Sequence, residues 1–123
     1  MVWQSAGVGN LSNPTITNYT ETVHSSTTST AYTVDLSLGT IHDLELTGNC
    51  TFTFPAATAG KQFTLILTQD STGSRTATWP AEVIWPGGTA PTITATATTG
   101  KDVLAFVCDG TSWYGFIGSQ DFS

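Results

Sequence analysis

From Tyr32 onward, apolar and polar residues alternate with a period of two. Tyr32, Val34, Leu36 and Leu38 interleave with Thr33, Asp35 and Ser37. Leu44 and Leu46 interleave with Asp43, Glu45 and Thr47 up to Gly48-Asn49, and Phe52 and Phe54 with Thr51 and Thr53 up to Pro55. Beyond Gly60, Phe63, Leu65 and Leu67 share one phase and Thr64, Ile66 and Thr68 the other. Successive side chains of an extended chain point to opposite faces, so each run predicts a half-buried strand. Asp70-Ser71-Thr72-Gly73-Ser74 is a turn cluster in which Asp70 can accept from backbone N–H groups. Thr92–Thr98 is a weakly apolar run of small residues that predicts another strand. Val103–Cys108 is apolar in both phases and predicts a central strand. Asp109-Gly110 tolerates positive φ and predicts a hairpin into Ser112–Gly118. No useful length shows the helical period. Seven or eight short strands separated by turn signals predict an all-β fold, an antiparallel β-sandwich or a jelly-roll-like barrel. No internal repeat of solenoid length is recognisable.

Residues 1–30 read differently, as an extended polar N-terminal arm before a β-sandwich domain at residues 31–123. The arm is rich in Ser, Thr, Asn and Gly, and His24–Thr30 reads as a linker or an extended strand. Trp3, Leu11, Ile16 and Tyr19 are apolar anchors spaced along it. Such an arm is either a disordered terminus or a segment that orders on a neighbouring subunit.

Between the two weakest runs stands Trp79-Pro80-Ala81-Glu82-Val83-Ile84-Trp85-Pro86-Gly87-Gly88. Proline cannot donate to a sheet ladder, so this segment belongs at an edge, a bulge or a corner. Its tryptophans anchor it by burial.

Composition narrows the function. Of 123 residues, 39% are hydrophobic but only 10% charged, against about 25% charged in ordinary domains. The surface is therefore hydroxyl-rich. Three basic residues face nine acids, a net charge of −6, so the basic footprint that nucleic-acid binding requires is missing. No apolar run approaches the ~20 residues of a membrane span, and the N-terminus has neither the basic nor the apolar region of a signal peptide. Cys50 and Cys108 fall in apolar runs and read as buried thiols.

Candidate chemistry is thin. His24 and His42 are the two histidines, no nucleophile elbow occurs, and both read as solvated surface residues. No His, Cys or carboxylate cluster has metal-ligand spacing, and no cofactor is implied. Asp43 and Glu45 share a strand face, which reads as its wet face rather than as a glycosidase pair. Trp79, Trp85, Trp113 and Tyr114 are the aromatic candidates, read first as core or subunit-interface residues and second as platforms for a sugar.

Several segments in order resemble a known module. They are Leu44-x-Leu46-x-Gly48-Asn49-x-Thr51-Phe52-x-Phe54, Gly60–Asp70, Thr72–Thr76, Trp79-Pro80, Trp85–Pro91 and Asp109–Gly115. Together they resemble a β module of bacteriophage virion proteins, found at the ends of tail fibres and in small capsid-surface proteins. The resemblance implies a non-enzymatic, commonly trimeric structural domain and no particular ligand-binding residue. A tail fibre has a long shaft before such a tip. A chain opening at Met1 with a short arm instead fits a capsid decoration or cement protein on the virion's capsid surface. The expectation is therefore a homotrimer bound to the major capsid protein, with the arm anchors as clips. The alternative is a tail-fibre or receptor-binding tip that recognises a host glycan.

Overall fold

The computed structural model describes residues 11–123; the expected anchor Trp3 lies outside them. The first half of the domain winds as three stacked coils. β1 (Val23–Thr28), β3 (Ile41–Leu46) and β5 (Gln62–Gln69) run parallel in one sheet. β2 (Ala31–Thr33), β4 (Cys50–Thr53) and β6 (Ala77–Thr78) run parallel in a second. Each coil climbs in the first sheet, turns a corner and continues in the second.

The corners stack as well as the strands. Thr47 N donates to Thr28 O at 2.9 Å, Thr51 N to Thr30 O at 3.0 Å and Asp70 N to Leu46 O at 3.2 Å. The Asn49 side chain accepts from Thr76 N at 3.0 Å, linking the second coil to the third. Short hydroxyl-rich corners are thus consumed in satisfying backbone groups between coils.

The second half closes the large sheet. β8 (Lys101–Cys108) pairs antiparallel with β5, and β9 (Trp113–Ser119) antiparallel with β8. The hairpin between them turns at Asp109-Gly110, where Gly110 has φ 102° and Asp109 N donates to Ser112 O. β7 (Val83–Ile84) adds the last edge, parallel to β9. The large sheet therefore reads β1-β3-β5-β8-β9-β7 and the small one β2-β4-β6. Pro80 and Pro86 flank the edge strand β7, where a missing N–H costs no ladder bond.

Between the sheets lie Leu44, Leu46, Phe63, Leu65, Leu67, Leu104, Phe106 and Trp113 from one side and Phe52 and Phe54 from the other. The Phe54 ring sits 4.8 Å from Phe106 and 4.9 Å from Phe63, both edge-on. Trp113 is 1% exposed and donates Nε1–H to Pro55 O at 3.0 Å. Each such aromatic contributes about 1.5–3 kcal/mol by leaving water.

The all-β, two-sheet expectation stands, but pairing direction does not follow it throughout: five of the pairings are parallel and two antiparallel. Alternation reports that one face is buried, not which way the neighbour runs. The coils also form a short solenoid that the sequence does not announce, because their corners and strand lengths differ. Val23–Thr28, within the segment read as arm, is the extended strand of the two readings offered and pairs with β3.

Two predicted strands are irregular. Of the Tyr32–Leu38 run only Tyr32 and Thr33 are strand, the end of β2. Asp35 ends it, its carboxylate accepting from Ser37 N at 2.9 Å and Ser37 Oγ at 2.7 Å, which competes with the ladder. Thr92–Thr98 makes no ladder either: Gln69 Nε2 donates to Thr94 O at 2.7 Å and Asp102 Oδ2 accepts from Thr94 N at 2.6 Å. His42, expected at the surface, is 0% exposed. It faces inward in phase with Leu44 and Leu46. Cys50 and Cys108 are buried free thiols, as expected.

Candidate functional site

The arm anchors and the aromatics fall in different places. Leu11, Ile16 and Tyr19 lie on irregular chain before β1 and are 54%, 56% and 70% exposed. None of them belongs to the buried core cluster. Trp85 and Trp113 are buried in the inter-sheet cluster, with Trp85 5.6 Å from Phe106 and 5.4 Å from Trp79. Trp79 is half-buried and stacks on Phe52 at 5.0 Å. Tyr114 points the other way, onto the outer face of the large sheet beside Ile84. Its hydroxyl donates to Asp109 Oδ2 at 2.9 Å, which raises the phenol's pKa and helps hold the Asp109 carboxyl below its usual range. Backbone donors Ser112 and Thr111 lower Asp109 more than the phenol does. The four aromatics therefore make no single platform.

Trp79 does line a cleft. The cleft has a volume of about 370 Å³ and opens between Ser74–Trp79 and Ala90–Ala95. Ala77, Pro91, Ile93 and Ala95 give it an apolar floor, and Arg75 stands at its wall. That is within the size range of small-ligand clefts. The Trp79 indole N–H is buried and has no partner. A buried donor without an acceptor costs free energy.

The two cleft walls are joined directly, Ser74 N donating to Ala95 O at 2.8 Å, and through one buried side chain. Gln69, 3% exposed at the end of β5, accepts from Arg75 N at 2.8 Å. Its amide donates to Arg75 O at 3.0 Å and to Thr94 O on the opposite wall. Arg75 is held in turn by a forked pair with Asp70, Nε to Oδ1 at 3.1 Å and Nη2 to Oδ2 at 2.7 Å. The Arg75 bond, then the N–H groups of Gly73 and Thr72, keeps the Asp70 carboxyl below its usual range. Gly73 lets the turn approach the far wall. It has φ 71°, and a Cβ there would meet Ala95 O at 2.7 Å and Ala97 N at 2.8 Å.

The groups weighed for catalysis do not converge. His42 Nε2 lies 3.0 Å from Gly39 O and Nδ1 lies 2.7 Å from the Tyr32 hydroxyl. Asp43 and Glu45 sit on the outer sheet face, away from the cleft. Among the described residues no group of three or more His, Cys, Asp and Glu is placed to hold a metal ion.

Sequence reasoning missed Gln69, Asp102 and His42 as organisers. The signal was present: each is polar at an inward-facing position of an alternating strand, in phase with Leu67, Leu104 and Leu44 respectively.

Searches of curated proteins and of solved structures found no significant match. A family model described as "Putative phage tail fibre C-terminal domain" matches residues 18–113. That span takes in β1 to β8 and the first residue of β9, together with both cleft walls. The chain belongs to this phage tail fibre C-terminal domain family, a structural module of the bacteriophage virion.

Proposed function

We propose that the domain is the receptor-binding tip of a tail fibre and takes a host-surface glycan in the cleft beside Trp79, without catalysing a reaction on it. The single observation that carries this is the apolar-floored cleft of about 370 Å³ lined by Trp79 and Arg75. Saccharides offer hydroxyl acceptors on one side and C–H faces on the other. The Trp79, Ala77, Pro91 and Ile93 surface answers the C–H faces, and the Ser74, Thr76 and Thr92 residues around it answer the hydroxyls. Arg75, its charge paired with Asp70, adds a guanidinium group at the wall. Binding of host polysaccharide by the purified protein, measured by calorimetry, tests the reading. Trp79→Ala, with folding checked by circular dichroism, removes the aromatic wall and should weaken binding about tenfold. Unchanged affinity, or release of shortened polysaccharide, would count against the reading.

The exposed Leu11, Ile16 and Tyr19 favour a second reading. In it the domain is a capsid decoration protein, a homotrimer whose arm, with Trp3 as its first anchor, clips onto the major capsid protein. Co-sedimentation with capsids, lost on deletion of residues 1–20, supports that reading. Equal occupancy by the truncated protein removes it.

A further inference from the structure

The cleft beside Trp79 offers a ligand no free charge. Of the ten described residues that line it, Arg75 alone is ionised. Asp70 holds that guanidinium by two bonds, Nε to Oδ1 and Nη2 to Oδ2. The chain around the cleft has a net charge of −6, a field that repels anions.

The lining is also short of polar partners. Six of the ten residues are apolar, and three of those are alanines, each presenting a single methyl group. Ser74, Thr76 and Thr92 supply the hydroxyls. The walls are tied together at Ser74 N to Ala95 O and again through the Gln69 amide, so they do not open to keep water on a ligand. A fully hydroxylated hexose pressed on such a floor leaves hydroxyls without hydrogen bonds, and each of these costs free energy. A methyl group in place of a hydroxyl, or an acetyl group over one, removes that cost and adds apolar contact.

Resting on the glycan reading above, we infer that the cleft selects an uncharged, methyl-bearing saccharide, a 6-deoxyhexose or an acetylated sugar, over acidic and fully hydroxylated ones. Asp70 determines the first half of that choice although it does not line the cleft. It neutralises the guanidinium fork that a sugar carboxylate would otherwise engage. Asn at this position keeps one oxygen for the N–H groups of Thr72 and Gly73, so Asp70→Asn frees Arg75 and retains the turn.

Titration of the 15N-labelled full chain with sugars, followed at the amides of residues 74–79 and 92–95, tests this. L-Rhamnose differs from L-mannose only in lacking the C6 hydroxyl. N-Acetylglucosamine carries an acetamido group where glucose has a hydroxyl. The methyl-bearing member of at least one pair should bind more tightly, by about fourfold for rhamnose. Glucuronate should bind at least about tenfold more weakly than N-acetylglucosamine. D70N should narrow that gap at low salt and restore it in about 1 M sodium chloride. Equal affinity within both pairs, or glucuronate bound by the wild type as tightly as N-acetylglucosamine, overturns the inference and leaves the glycan reading standing. A folded D70N that still rejects glucuronate at low salt overturns the part given to Asp70. If neither these sugars nor host polysaccharide moves the cleft amides, the glycan reading falls and the selectivity falls with it.

Discussion

The Tyr32 hydroxyl lies 2.7 Å from Nδ1 of His42, across the gap between the small sheet and the large one. With Nε2–H donated to Gly39 O and Nδ1 accepting from Tyr32, neutral imidazole satisfies both of its nitrogens. Burial first, and then nearby His24, pulls the His42 pKa down, while the Gly39 carbonyl and Asp35 oppose the shift. The unfolded chain therefore takes up the proton at a higher pH than the native one. Stability is full above the unfolded value of about 6.5 and falls as pH descends below it. Thermal melts should show a declining Tm from pH 7 towards pH 5, and His42→Leu should flatten that slope. Asp35, Asp70 and Asp109 have lowered pKa values, so their contribution is lost only as pH falls below about 4, a separate window.

The same residue shows how far the sequence carries. The period of two places β3, β4 and β5 and picks their buried faces, because alternation and burial are one fact, while β8 is placed by its apolar run and β9 by the Asp109-Gly110 hairpin. It says nothing about pairing direction, so the three parallel coils were not legible. Position in the alternation marks His42 as inward, but residue type marks it as polar, and only a partner such as Tyr32 decides between the two. That partner comes from another strand, beyond the reach of local pattern. The cleft was hidden for the same reason, since its walls meet through contacts distant in sequence, the Gln69 amide and the Ser74 N to Ala95 O bond.

Gln69 tests the cleft. Gln69→Leu conserves bulk and leaves Arg75 N, Arg75 O and Thr94 O without their side-chain partner. The expected cost is about 3 kcal/mol. Gln69→Glu should be worse, because a carboxylate would face two carbonyl oxygens. Both variants should exchange the Arg75 amide proton faster and lose polysaccharide affinity. Wild-type exchange at Arg75 in Q69L would show that the walls hold without the amide.

Gly115 tests the aromatic cluster. It sits on the inner face of β9, and a Cβ there would lie 2.8 Å from Phe106 Cε1 and 2.8 Å from Trp85 Cζ3. Those rings are packed from other sides and have little room to move. Gly115→Ala should destabilise the domain by about 1–3 kcal/mol. Trp85→Phe removes the outer ring carbons that clash, so the double variant should cost less than the sum of the two changes. Strict additivity in urea melts would show that the rings yield freely.

Asp102 is a carboxylate buried to 1% exposure with three donors and no cation on it. Thr94 donates both its N–H and its hydroxyl at 2.6 Å, and Asp121 N donates at 3.1 Å. A carboxylate only accepts, so every bond is matched. Asn is nearly the same shape, but its NH2 must point at one of these donors. Asp102→Asn should therefore cost about 2 kcal/mol, and Asp102→Ala at least as much, since the three donors are left unpaired. The loss is directional. Thr94 anchors the irregular chain at the cleft wall, and Asp121, with Phe122 N bonded to Lys101 O at 2.9 Å, anchors the C-terminal tail. Limited proteolysis of D102N should open the chain at residues 92–98 and release the tail before the sheets unfold. A digestion pattern identical to wild type would mean that neighbouring bonds hold these segments without the carboxylate.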